Sequence, residues 1–192
     1  MHEAMNHLQP VGQLTLLAAA CTPELKEIGR RFVKDTRQRY IDPVAELGVI
    51  ALHLAVARLG GRDALPEDQF RRALFVVTAR GPQATRLKLQ TGYANDSQGA
   101  VSATIFSNCG YNIAGALMAR SQSIRGPVLT FGETPSWRRD VPKMAQAFLE
   151  RDRVDWLALV FLDEQRAEIS WYGRSIHMHP SVDLAIGEGV PS

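Results

Sequence analysis

Cysteine is scarce in this sequence of 192 residues, and its scarcity excludes two classes of protein. Two cysteines, Cys21 and Cys109, are too few for a disulfide scaffold, and they lack the spacing of metal ligands. We therefore expect both to be reduced thiols. The sequence predicts no bound metal and no cofactor.

A charge excess of one sign and long apolar runs are also missing. The 22 basic and 20 acidic residues leave a net charge of +2, and the arginines are scattered along the chain. Nucleic-acid binding is therefore not predicted. No apolar run reaches the ~18 residues of a membrane-spanning helix, and no basic segment stands close before the longest one. We expect a cytoplasmic protein without a membrane span.

Hydrophobic content, by contrast, is that of an ordinary globular protein. Hydrophobic residues make up 45% of the chain and charged residues 22%, which excludes a disordered or collagen-like protein. A chain of this length buries roughly 70% of its unfolded surface. We therefore expect one domain that spans residues 1–192.

Apolar spacing predicts the order of strands and helices. Short apolar or β-branched runs predict five strands, at residues 12–20, 73–78, 128–131, 154–162 and 167–172. Helical spacing predicts helices from Asp42-Pro43 to Gly60-Gly61, at 112–120, and at 140–150 with Asp140 as N-cap, besides a shorter one at 83–91. In the helix at 140–150 the residues expected to face inward are Val141, Met144, Ala147 and Phe148. The segment 92–98 has the composition of a loop.

The order β, α, β, α, β, α, β, β indicates an α/β fold. Strands that alternate with helices favour parallel pairing with helical crossovers, and the last two strands favour an antiparallel hairpin. The sequence therefore predicts a mixed five-stranded sheet with helices on both faces.

Residues 106–134 (FSNCGYNIAGALMARSQSIRGPVLTFGET) carry a recognisable pattern. An asparagine, Asn112, begins a small-residue helix with Ala114-Gly115, and Ile124-Arg125-Gly126-Pro127 precedes a strand. This pattern resembles β-ketoacyl synthases, and with its flanking elements the resemblance covers about residues 12–172. It implies a thiolase-like fold that corresponds to the N-terminal half of such an enzyme, with the C-terminal half absent.

The resemblance also identifies the place where catalytic members carry a cysteine nucleophile. In those enzymes a T-A-C sequence ends the strand after R-G-P, and the helix N-terminus lowers the cysteine pKa. That place falls here at Thr134, Pro135 or Ser136, and the two family histidines come from the other half. The resemblance implies no catalysis by this chain alone. It implies a role like that of chain length factors in type II polyketide pathways, or of truncated ketosynthase-like proteins in aryl polyene pathways.

Two partners follow from the resemblance: a full-length catalytic β-ketoacyl synthase and an acyl carrier protein. Relatives dimerise through the small-residue helix and the neighbouring edge strand. The implied interface residues are Phe106, Asn108, Cys109, Asn112, Gly115, Ala116, Val128 and Thr130. The alternative is that the small residues only let the helix pack closely against its own sheet.

Arg138 and Arg139 form a second candidate surface. Guanidinium groups bind phosphate through paired hydrogen bonds, so these residues are candidates for docking an acidic carrier protein. The alternative is a solvated loop.

Two other functions stay open on the sequence alone. Cys109 precedes a predicted helix and is a candidate nucleophile for a small acyl-transfer enzyme, with Ser136 as a further candidate. The chain is alternatively a simple carrier-protein-binding module. His177 and His179 have strand spacing suitable for zinc but no evident third ligand, so we expect two exposed histidines.

Overall fold

Five strands form one sheet in the computed structural model, which describes residues 10–35, 41–95, 106–151 and 153–173. The order across the sheet is β1-β5-β4-β2-β3, and β2, β3 and β4 are parallel, while β5 runs antiparallel to β4 and to β1. The predicted mixed sheet and its antiparallel pair are confirmed. The strands are β1 (Gly12–Leu17), β2 (Arg72–Thr78), β3 (Val128–Gly132), β4 (Trp156–Leu162) and β5 (Arg166–Gly173).

Helices cover both faces of this sheet. Helices α2 and α4 contribute to one apolar cluster with Leu74 and Val76, and α5 contributes to the other with Phe75. All seven residues of β2 and all seven of β4 are buried, as expected for central strands covered on both sides. The helices are α1 (Pro23–Asp35), α2 (Pro43–Arg58), α3 (Gln83–Asn95), α4 (Ile113–Ser121) and α5 (Trp137–Glu150).

Asp42 fixes the beginning of α2 and joins it to α3. Its fully buried carboxylate accepts hydrogen bonds from Val44 N at 2.9 Å, Thr85 N at 3.2 Å and Thr85 Oγ1 at 2.5 Å. Pro43 occupies the first turn, where its missing N–H leaves no helical hydrogen bond unmade. Gly60 and Gly61, with φ of 102° and 88°, follow the end of α2. The predicted helix is confirmed at both ends.

Helix α1 was not predicted, and the helix predicted at 83–91 is longer than expected. Helix α1 lies in a charged stretch, but its Leu25, Ile28 and Phe32 pack against the apolar cluster that α2 buries. Helix α3 continues to Asn95, so the loop predicted at 92–98 is wrong for residues 92–95. The rest of that segment lies outside the described residues.

The beginning of α5 also differs from its prediction. The helix starts at Trp137 with Ser136 as N-cap, rather than at Asp140, because the Trp137 ring is buried and stacks on Phe161 at 5.1 Å. The apolar area that this ring buries against the sheet stabilises an additional turn at the beginning of the helix. Met144, expected to face inward, is 39% exposed. The buried residues of α5 are Trp137, Val141, Ala145 and Leu149.

The first strand is shorter than its apolar run. It ends at Leu17, and Ala18–Ala20 form a 3-10 turn, in keeping with the alanine content of that end. Within the described ranges, no helix has the length and apolar character needed to cross a membrane.

Candidate partner interface

Strand β3 forms one edge of the sheet. It pairs with β2 from Leu74↔Val128 to Thr78↔Gly132, and among the described residues no strand pairs with its other side. Its five residues, VLTFG, contain no charge. Natural proteins protect edges with charges, prolines or covering elements, so this edge is suited to pairing with another strand.

Backbone geometry shows which amides of β3 face outward. Leu74 N donates to Pro127 O at 2.9 Å, and Glu133 N donates to Thr78 O at 3.1 Å. Alternate residues of a strand direct their N–H groups to opposite sides, so odd-numbered amides of β3 point to β2. The amides of Val128, Thr130 and Gly132 therefore point to the open side.

Helix α4 packs directly on β3 through Gly115. A Cβ atom at Gly115 would lie 3.1 Å from Thr130 Oγ1 and 3.4 Å from Val128 Cγ1. The glycine therefore serves close packing of the helix on its own sheet, which is the alternative considered from sequence. Asn112 and Ala116, in contrast, are exposed on α4. Beside this helix Phe106 is 64% exposed, Val128 is 36% exposed, and Asn108 is buried.

The close approach of the connection into β3 to the backbone before β2 requires the glycine at position 126. A side chain on Gly126 would lie within 2.4 Å of the carbonyl oxygens of both Phe70 and Arg72. Only a residue without a Cβ passes so close to that backbone. Arg125 N also donates to Gln69 O at 3.0 Å, which holds the connection against the turn before β2.

Cys109 does not lie at the N-terminus of α4. The N-cap of that helix is Asn112, and the Cys109 thiol donates to Phe106 O at 2.9 Å. Reactive cysteines typically lie at a helix N-terminus or beside basic groups, and Cys109 lies three residues before the N-cap of α4. This geometry provides no activation of Cys109.

Hydroxyl groups occupy the position where the resemblance places a nucleophile. Thr134 and Pro135 are exposed after β3, and the Thr134 and Ser136 hydroxyls lie 3.5 Å apart. Hydrogen bonds from Arg139 and then Ser136 lower the pKa of Asp140, so its carboxylate is a poor proton acceptor for Ser136. The described residues place no histidine at this position, and His177 and His179 lie outside them.

Both arginines of the candidate docking surface have acidic neighbours. Arg138 lies over the Trp137 ring at 4.5 Å and pairs with Glu168 at 3.5 Å, and Arg139 pairs with Asp140 at 2.8 Å. Both side chains remain largely exposed. An acidic group of a carrier protein would therefore compete with Glu168 for Arg138 and with Asp140 for Arg139.

Two adjoining clefts at the carboxyl ends of the parallel strands were not predicted. One, of about 270 Å³, lies between the residues after β2 and Asp163, and the other, of about 390 Å³, lies between Arg80, Arg86 and Tyr111. The Tyr111 hydroxyl donates to Thr78 O at 2.9 Å. Gly81, at φ +63°, leaves room for its ring, since a Cβ there would lie 2.8 Å from Tyr111. In the sequence, the Gly81-Pro82 pair indicates a turn at this position.

Solved structures of ketosynthases and chain length factors are similar in fold to this α/β chain. The chain aligns with the ishigamide ketosynthase/chain length factor at a TM-score of 0.61 and 13% identity. It aligns with the structure of the ketosynthase ApeO in complex with its chain length factor ApeC from Xenorhabdus doucetiae at a TM-score of 0.58 and 11% identity.

The extent of these matches differs. The first covers 70% of this chain and 44% of that chain, so this sequence spans less than half of it. The second covers 89% of this chain and 80% of that chain. No protein-family model and no curated protein matches the sequence. The structural matches therefore show the fold, which is that of ketosynthases and chain length factors.

Proposed function

We propose that this chain is a non-catalytic, chain-length-factor-like subunit that pairs with a full-length catalytic β-ketoacyl synthase. The observation that carries the proposal is the open, uncharged edge of β3 in a fold shared with a ketosynthase that was solved with its chain length factor. Pairing would continue the sheet into the partner through the outward amides of Val128, Thr130 and Gly132.

The exposed side chains beside this edge support the same surface. Phe106, Ala116 and Val128 offer apolar contact on or beside α4 and β3, and Asn112 adds a polar group. Interfaces of this kind combine apolar anchors with a polar rim. Gly115 contributes indirectly, because it sets how closely α4 lies against the edge strand.

The position that follows β3 supports a non-catalytic role. Condensing enzymes need an activated thiolate there, and Thr134, Pro135 and Ser136 supply none. Ser136 hydrogen-bonds to Asp140, but hydrogen bonds from Arg139 and Ser136 lower the pKa of that carboxyl, which makes it a poor general base. In this proposal the catalytic cysteine belongs to the partner.

The proposal extends to a setting and a further partner. We assign the complex to cytoplasmic polyketide or fatty-acid-type biosynthesis, with aryl polyene assembly as the specific pathway. An acyl carrier protein would deliver the growing chain and dock at Arg138 and Arg139, whose exposed guanidinium groups are able to bind phosphate or carboxylate.

Co-expression tests the pairing. The tagged chain is expressed with the full-length β-ketoacyl synthase encoded nearest to it, and pull-down and size-exclusion chromatography measure the complex. We expect a stable one-to-one complex. A chain that stays alone with this and every other ketosynthase of its genome contradicts the proposal.

Matched proline substitutions at the two sheet edges locate the interface. Thr130→Pro removes an amide that faces the open side of β3 and leaves the bonds to β2 intact. Thr15→Pro likewise removes an outward amide at the edge formed by β1. Ala18 N donates to Gln165 O, and because alternate amides of a strand point to opposite sides, the amide of Thr15 points away from β5. We expect Thr130→Pro to abolish the complex and Thr15→Pro to preserve it, with thermal unfolding confirming that both variants fold. Equal effects contradict the assigned edge.

A further inference from the structure

Helix α3 is anchored to the described part of the chain through its first turn. Thr85 donates to the buried carboxylate of Asp42 from both its amide and its hydroxyl. Beyond that turn, residues 86–94 are exposed apart from Leu89, which is partly buried. A helix of 13 residues is marginal in water without tertiary packing. The exposed part of α3 therefore gains little stabilisation from the residues that the structure describes.

One face of α3 borders an open cleft. Four residues with the i, i+3, i+4, i+7 spacing of a single helix face line the cleft of about 390 Å³ opposite Tyr111, namely Gln83, Arg86, Leu87 and Gln90. Leu87 is 54% exposed and Tyr111 is 39% exposed, so apolar surface of both is accessible at this cleft. The cleft separates this face of α3 from Tyr111 and leaves space for a segment of another molecule.

Tyr111 places this cleft beside the edge strand. Its hydroxyl donates at 2.9 Å to the carbonyl oxygen of Thr78, the last residue of β2. Thr78 is paired with Gly132, the last residue of β3, and a Cβ atom at Gly132 would lie 3.8 Å from the Tyr111 hydroxyl oxygen. The amide of Gly132 points to the open side of β3. A strand that pairs with this edge therefore passes next to Tyr111, and the cleft is continuous with the proposed interface.

The charge of this region indicates the chemistry of a segment that fits the cleft. Residues 79–95 include Arg80, Arg86 and Lys88 and no acidic residue. Arg80 donates to Gln83 Oε1 at 3.5 Å, and the described residues give neither Arg80 nor Arg86 a carboxylate partner. An acidic group that binds here therefore breaks no ion pair of these two arginines, and it meets a surface of complementary charge.

We propose that the β-ketoacyl synthase that pairs with β3 also places a segment with apolar and acidic side chains in the cleft between α3 and Tyr111. In this arrangement an apolar side chain of the partner contacts Leu87 and Tyr111, and a carboxylate of the partner pairs with Arg86. The contact rests on the proposed pairing, because Tyr111 joins the cleft to the same edge of the sheet. It adds a second contact to the pairing of strands, and the complex then stabilises the exposed part of α3.

Hydrogen exchange measured by mass spectrometry tests whether the complex stabilises α3. The full-length chain is labelled alone and in its purified complex with the ketosynthase. We expect the amides of residues 89–94 to exchange about tenfold more slowly in the complex, while those of β1 at residues 12–17 keep their rates. Unchanged exchange at residues 89–94 within a stable complex overturns the contact and leaves the pairing intact. A chain that binds no ketosynthase overturns both.

Two matched leucines locate the contact. Leu87→Ala and Leu17→Ala truncate similarly exposed side chains, at 54% and 51%, on α3 and on the β1 edge. We expect Leu87→Ala to weaken the complex about tenfold in surface plasmon resonance and Leu17→Ala to leave the affinity unchanged. Equal affinities of the two variants overturn the contact. A self-dimer of the free chain that Leu87→Ala abolishes also overturns it, since α3 would then bind a second copy.

A matched pair of arginine variants tests the acidic character of the partner segment. Arg86→Gln removes a positive charge from the cleft, and we expect it to lower the association rate about threefold and to reduce the dependence of that rate on salt. The control is Arg58→Gln, at an exposed arginine near the end of α2, for which we expect an unchanged rate. Equal rates and equal salt dependence of the two variants overturn the assigned charge of the segment.

Discussion

The two edges of the sheet are built differently. At the β3 edge both faces are covered, because Val128 and Thr130 meet α4 while Leu129 and Phe131 pack in the cluster that α5 buries. At the β1 edge only alternate residues are buried: Leu14 and Leu16 face the core, and the residues between them are exposed. The first edge is therefore partly covered on both faces, although Val128 remains 36% exposed, whereas the second edge is covered on one face and exposed on the other.

This difference indicates which edge is suited to a partner. An edge strand with helices on both faces ends a helix–sheet–helix arrangement of three layers. A partner with the same arrangement can extend the sheet and both helix layers. A strand with one solvated face is the ordinary margin of a sheet. The comparison therefore favours β3 as the partner edge and β1 as the outer margin.

The largest expected effect comes from a charge placed in the helix layer beside β3. Ala116 is exposed on α4, and Ala116→Arg would bury a cation in the proposed interface and weaken the complex about 100-fold. The control is Ala57→Arg, at an exposed alanine of α2, for which we expect unchanged affinity. Surface plasmon resonance with the immobilised ketosynthase measures both. Similar affinities for the two variants would remove α4 from the interface.

A smaller effect is expected from separating α4 and β3. Gly115→Val places a branched side chain against Thr130 and Val128, which should lower the free energy of unfolding by about 2 kcal/mol. Gly92→Val is the control, because a Cβ at Gly92 has no atom within 4 Å, and its effect should stay within about 0.5 kcal/mol. Urea denaturation gives both values. If Gly115→Val is harmless, the close packing of α4 does not set the position of the edge.

A pH-dependent contact joins the segments that precede the central strands β2 and β4. Arg71 hydrogen-bonds to Asp155 at 2.5 and 2.7 Å and lowers the pKa of that carboxyl. A lowered pKa means stability that is present at neutral pH and is lost as pH falls below the ordinary carboxyl value. Asp155→Asn should therefore cost less than Gly115→Val at neutral pH, since the pair is partly solvated, and the difference from the parent should vanish in acid. A constant difference across this range would contradict that cause.

The smallest effect is expected at Cys109. Its thiol donates to a neighbouring carbonyl and lies before the N-cap of α4, so Cys109→Ala should change stability by less than about 0.5 kcal/mol. We also expect unchanged complex formation and no transfer of acyl groups from carrier thioesters by either form. Mass spectrometry detects such transfer. An acylated parent chain and an unmodified variant would instead support the small acyl-transfer enzyme.

The central elements of the fold were predictable from local pattern. Strands β2 and β4 are continuous apolar runs, and α2 has both a proline start and a paired-glycine end. Helix α1 escaped prediction because charges dominate its sequence, and only Leu25, Ile28 and Phe32 form its apolar stripe. Helix α3 continues through residues with turn propensity, so tertiary context overrides that preference.

The candidate site was predictable only as a region. The R-G-P pattern located the edge strand, and the family resemblance located the position without a thiol. Which side of α4 faces its own sheet depends on packing across β3, so the sequence alone leaves both an outside contact and internal packing open for Gly115. The hydrogen bond from the Tyr111 hydroxyl to Thr78 O joins residues distant in sequence, and no local pattern marks such a contact.

Asp42 has a consequence for how the chain opens. One carboxylate holds the first turn of α2 through Val44 N and the first turn of α3 through Thr85 N, so losing it releases both turns together. In hydrogen exchange the amide protons of Val44 and Thr85 should therefore report a single opening event, although β2 separates them in the chain. The two helices then form one cooperative unit, whose loosening would expose the carboxyl end of β2 before the sheet itself unfolds.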